Sequence, residues 1–139
     1  MEKLIKLYTE WSGAEPVSTE QLAGAGSNRQ YYRFTSEDGT TVIGVVGTSR
    51  DENHAFVYLA EHFEQRQLPV PHILAQSADG LRYLQTDLGS TSLFDAIRGG
   101  REAGGRYNQH EKQLLKATIR QLPNIQIRGC LLYTSDAAD

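Results

Sequence analysis

The chain has little of what commits a sequence to the common specialised chemistries. Its single cysteine, Cys130, excludes an internal disulfide framework and a CxxC metal site. His54, His62, His72 and His110 show no HExxH-like spacing, so they read as surface or capping residues and no metal site is expected. No apolar run approaches the roughly 20 residues that span a bilayer. Lysine occurs only at positions 3, 6, 112 and 116, the arginines are scattered, and the net charge is −3. That balance offers no basic field for nucleic acid. Met1 is followed by a mixed amphipathic stretch, not by a basic region and an apolar core. A cytoplasmic protein with no secretory signal and no membrane partner is the expectation.

What is present suits a folded chain: 39% hydrophobic and 22% charged residues over 139 positions, enough for one domain or a piece of a larger one. Residues 130–139 (Cys-Leu-Leu-Tyr-Thr-Ser-Asp-Ala-Ala-Asp) resemble the translation of a sequencing-library adapter and are read as a non-native tail, outside fold reasoning.

Leu4, Leu7, Tyr8 and Trp11 recur at helical spacing, which predicts a helix over 2–12 stopped by Gly13. Strands are expected over 17–22, around Tyr32 and Phe34, and over 41–46, the last two joined by a turn at 37–40. Gly44 inside the third strand suggests a bulge or a close approach. The period turns helical from Asp51 to about Gln67, capped by Asp51 or Ser49, with Ala55, Phe56, Leu59, Ala60 and Phe63 on one face. Leu68-Pro69-Val70-Pro71 ends it. Two more strands follow, over 72–77 and 81–86. A short helix over 92–98, a flexible glycine-rich loop over 99–105 and a helix capped by Asn108 and ended by Pro123 complete the reading.

The chain is organised around residues 22–34, Leu-Ala-Gly-Ala-Gly-Ser-Asn-Arg-Gln-Tyr-Tyr-Arg-Phe. A glycine-serine turn between strands can direct several backbone N–H groups at an anion. The dinucleotide fingerprint GxGxxG fails, because Arg29 stands at its third glycine and no parallel βαβ unit follows. The P-loop fails for want of Gly-Lys-Ser/Thr. A plain connecting turn is the bland alternative.

Three segments in this order carry a resemblance: Gly-Ala-Gly-Ser-Asn-Arg-Gln-Tyr-Tyr-Arg (24–33), Leu-Pro-Val-Pro-His-Ile-Leu-Ala (68–75) and Tyr-Leu-Gln-Thr-Asp-Leu-Gly (83–89). With the order of elements, they resemble the N-terminal lobe of the aminoglycoside-phosphotransferase-like family. The branch most resembled contains phosphotransferases related to serine/threonine protein kinases, including N-acetylmuramate/N-acetylglucosamine sugar kinases. The resemblance implies an α+β fold: a protein-kinase-like small lobe over 1–87, with a five-stranded antiparallel sheet and one inserted helix. It places the hinge and the start of a truncated large lobe at 88–129. It further implies an ATP-binding lobe of a phosphotransferase that moves the γ-phosphate of ATP, with Mg²⁺, to a hydroxyl of a small molecule such as an amino sugar or sugar. Gly24, Gly26, Ser27 and Asn28 would cover the phosphates, Ile43 would roof the adenine, and Gln85, Thr86, Asp87 and Leu88 would form the hinge at its edge.

The chain departs from that pattern in two ways. Kinases reach the phosphates with a third-strand lysine paired to a helix glutamate. Here Gly44 or Val45 lies where the lysine would be, and Phe56 lies near the glutamate position. Arg29, Arg33 and Arg50 are the candidates to replace the missing cation. No catalytic aspartate motif occurs, so no catalytic residue is assigned and this chain alone is expected to be inactive. The stripe Leu114, Leu115, Ile119 and Leu122 is expected to lack large-lobe partners. The competing reading is a non-catalytic kinase-like module that binds nucleotide or protein. An unrelated antiparallel α+β binding domain would gain ground if residues 17–87 formed no single sheet.

Overall fold

The computed structural model describes residues 1–23 and 28–130. The chain folds as two units, Met1–Leu88 and the segment from Gly89 onward.

In the first unit, α1 (Glu2–Ser12) stops where Gly13 takes a φ of 83° and donates its N–H to the Thr9 carbonyl. Glycine meets no Cβ penalty in that left-handed conformation. Strands β1 (Ser18–Leu22), β2 (Gln30–Thr35), β3 (Thr41–Val46), β4 (Ile73–Gln76) and β5 (Arg82–Thr86) form one antiparallel sheet of order β1-β2-β3-β5-β4. Helix α2 (Arg50–Gln65) lies in sequence between β3 and β4. The architecture is α+β, with one five-stranded antiparallel sheet.

Strand alternation divides the apolar residues between two faces. On one, Leu4, Leu7 and Tyr8 of α1 pack with Tyr32, Phe34, Val42 and Leu84. On the other, Val57 and Phe56 of α2 pack with Ile43, Val45 and Tyr83. Both faces of β3 are thus buried, which its near-continuous apolarity predicts. Gly44 marks a close approach and not a bulge: the β2–β3 and β3–β5 registers run through it unbroken. A Cβ there would lie 2.5 Å from Phe34 Cε2 and 3.0 Å from Leu4 Cδ2. The sheet's irregularity falls instead on β4, between Ile73 and Ala75.

Ser49, not Asp51, caps α2, its hydroxyl accepting from the Glu52 N–H at 3.3 Å. The buried face of α2 also differs from the expected one. Asn53, Val57, Ala60 and His62 are buried, whereas Ala55 and Leu59 are exposed. The apolar periodicity fits either setting of the helix, and Asn53 fixes the observed one. Its carboxamide donates to the Gly80 carbonyl at 3.0 Å and packs against Gly47, where any Cβ would collide with it.

The second unit holds α3 (Leu93–Ala96), α4 (Arg98–Glu102) and α5 (Gln109–Pro123). The glycine-rich loop expected over 99–105 is in part helix. Gly100 packs against the Tyr107 ring, leaving no room for a Cβ, and donates its N–H to Glu111 Oε1 at 2.8 Å. Composition signals flexibility, but packing requires the small residues. Asn108 caps α5 through a capping box closed by Glu111. α5 ends at Pro123, as expected, and the chain goes on as a π-helical turn over Asn124–Arg128. Ile119 and Leu122 are exposed, and Leu114 and Leu115 half-buried. Among the described residues, no helix is long and apolar enough to cross a membrane.

Candidate functional site

The α2 face of the sheet gathers most of the described candidates. Glu20, Arg33, Ile43, Gln85 and Ile73 stand in register across all five strands. The neighbouring row is Leu22, Tyr31, Val45 and Tyr83. Side chains of cross-strand partners share a face, so both rows look toward α2.

Ile43 is buried within this surface, packed with Val45, Val57 and Tyr83. Gln85, its neighbour on β5, is half-buried, and its Oε1 has no hydrogen-bond partner among the described residues. The Tyr83 hydroxyl, two residues earlier on the same face, likewise lacks one. Burial raises the Tyr83 pKa well above the usual phenol range against an opposing pull from the Arg29 charge, so the group stays a neutral donor. Unpaired buried polar atoms are costly and uncommon in native proteins. Alternation along β5 opposite Leu84 could have placed both residues on this face from sequence.

Arg33 is occupied. Its Nε donates to Asp87 Oδ2 at 2.6 Å and its Nη2 to Oδ1 at 3.3 Å, with Glu20 at 3.5 Å from Nη1. The Asp87 hydrogen bond is the main cause of a raised Arg33 pKa, opposed by burial. The Asp87 side chain is 6% exposed and that of Arg33 17%. This pair ties the segment leaving β5 to β2.

Thr86 is committed too. Its N–H donates to the His72 carbonyl and its hydroxyl accepts from the His72 N–H, both at 3.0 Å. Leu88 is 71% exposed at the end of the first unit, and Asn28 is exposed ahead of β2. Gly24, Gly26 and Ser27 lie outside the described residues.

Val45, fully buried, faces α2, while Gly44 faces α1. Opposite it, Phe56 stacks on Tyr83 with ring centroids 5.3 Å apart. The Arg29 guanidinium lies over the Phe56 ring, 5.2 Å from its centroid, and donates to the Glu52 carbonyl at 3.2 Å. Arg50 is directed elsewhere, donating to the Asp79 carbonyl at the β4–β5 turn. Among the described residues no three His, Cys, Asp or Glu side chains gather as metal ligands. Neither protein-family models nor curated proteins give a match to this sequence.

Proposed function

We propose that the first unit is a kinase-like small lobe that binds ATP on the α2 face of its sheet. In this reading it serves a phosphotransferase acting on a hydroxyl of an amino sugar or sugar. One observation carries the reading: five antiparallel strands in the order β1-β2-β3-β5-β4, with a helix inserted between β3 and β4 on the face that presents Ile43 and Gln85. Ile43 and Leu22 supply apolar contact for the adenine ring. Because the Thr86 N–H is already bonded to the His72 carbonyl just ahead of β4, the backbone of Asp87 and Leu88 is left to meet the adenine edge. The Arg33–Asp87 pair holds that backbone in place.

A second reading, a non-catalytic nucleotide-binding module, is favoured by Val45 and Phe56, an apolar pair where phosphoryl transfer ordinarily uses lysine and glutamate. Calorimetric titration of the chain with adenosine, ADP and MgATP tests what the two share. Saturable binding of adenine compounds is expected, and no binding at millimolar concentration contradicts both. Transfer to an amino sugar by a longer product of the same gene separates them.

A further inference from the structure

Where the end of α1 meets the β2–β3 turn, the first unit carries a groove away from the α2 face. It consists of two hollows of about 340 and 300 Å³ that share Tyr8, Ser12, Ser36 and Asp38. Trp11 and Val42 line one end, and Glu15, Val17 and Glu37 the other. Tyr8 and Val42 are buried and give the groove an apolar floor. Trp11, its ring centroid 6.0 Å from that of Tyr8, is 41% exposed, and Val17 is 64% exposed. The only tryptophan of the chain is thus part-open to solvent beside this floor.

Every charged side chain lining the groove is acidic. Asp38 stays ionised, its pKa lowered to about 2, first by the Ser36 hydroxyl and then by the Thr40 N–H. Glu15 and Glu37 are exposed and form no ion pair among the described residues. The sequence carries the same bias, with no lysine or arginine between Lys6 and Arg29 or between Arg33 and Arg50. A surface of this sign repels nucleic-acid phosphates and anionic lipid headgroups and attracts cations. Lysine and arginine side chains match it twice over: an apolar stem suits the floor, and a charged head suits the rim. Tryptophan is also the best of the aromatic rings at holding a cation over its face.

We propose that this groove is a docking site for a basic segment of a partner protein, with a lysine or arginine side chain lying on Trp11 and its charge facing Asp38, Glu15 and Glu37. The proposal does not depend on nucleotide binding, which uses the other face of the sheet.

The test titrates the whole chain with a hexa-arginine peptide at low ionic strength. On the unsubstituted protein, the single indole N–H resonance of Trp11 should shift saturably, and added salt should weaken the binding. Trp11→Ala should lower affinity about fivefold, the scale of an exposed cation–π contact, and Trp11→Phe should keep part of it. Glu15→Gln combined with Glu37→Gln should lower it roughly threefold to tenfold, for two exposed ion pairs lost. Glu2→Gln combined with Glu61→Gln removes the same charge away from the groove and should change affinity less than about twofold. An indole resonance indifferent to the peptide overturns the proposal. Equal losses from the two glutamate pairs also overturn it, because they would reduce the binding to net charge alone. So does an indole shift that grows with protein concentration without peptide, which would assign the groove to a second copy of the chain.

Discussion

Replacing Asp87 by alanine should destabilise the first unit by an amount set by how far Arg33 can recover. Breaking a fully buried ion pair costs about 3–5 kcal/mol, whereas an exposed pair is worth about 0–1. The Asp87 side chain is 6% exposed and that of Arg33 17%, and after the substitution Arg33 keeps Glu20, whose side chain is 66% exposed. Partial solvation and that weaker partner place the loss between the limits, at roughly 2 kcal/mol. For a unit of this size that is a fall in Tm of about 10 °C. Trp11 is the only tryptophan and lies 6.0 Å from Tyr8 in the α1 core, so its fluorescence during urea unfolding follows this unit. A double-mutant cycle with Arg33→Met isolates the pair. The double variant should be more stable than Asp87→Ala alone, because it leaves no part-buried cation with only the exposed Glu20 for a partner. A coupling energy below about 0.5 kcal/mol would refute the claim that the pair anchors the segment after β5.

Gly44→Ala should cost about 1–3 kcal/mol in the same assay, since the new Cβ meets the fully buried Phe34 and Leu4; a neutral result would mean that α1 packs more loosely on the sheet. Asp79 is held near pKa 2, from an ordinary 3.8, first by the Ser77 hydroxyl and then by the Leu81 N–H. A depressed carboxylate stabilises the fold above its unfolded pKa and loses that contribution as pH falls, here between about 4 and 2. Ser77→Ala should move the Asp79 midpoint upward in an NMR titration. Glu111→Ala should unwind both the start of α5 and α4, because the two carboxylate oxygens accept from Asn108 and Gly100; a loss of about 1–3 kcal/mol is expected, mainly for the buried Gly100 N–H left unpaired, read by hydrogen exchange at Gly100.

Local features are plain in the sequence and distant pairings obscure. Residues 2–12 and the stop at Gly13 follow from spacing and one glycine, and Asn108 with Glu111 three residues on is a capping box that can be read directly. The alternation of β2 and β3 likewise places Ile43 and Arg33 on one face. The Arg33–Asp87 pair joins residues 54 apart, and no local pattern encodes it. The setting of α2 escapes the apolar pattern because the polar Asn53, clamped between Gly47 and Gly80, outweighs an exposed Leu59. The helix through Gly99 and Gly100 escapes it because glycine signals both flexibility and tight packing. The site is legible as a face of the sheet. The cation standing over Phe56 requires the fold.

The most direct test of nucleotide binding on the α2 face is NMR mapping of the chain titrated with ADP. Shifts are expected at Ile43, Gln85, Asp87 and Leu88, with Leu4, Leu7, Phe34 and Val42 of the α1 face unmoved. Saturating binding that shifts the α1 face and leaves Ile43 and Gln85 unchanged would contradict nucleotide binding at this site.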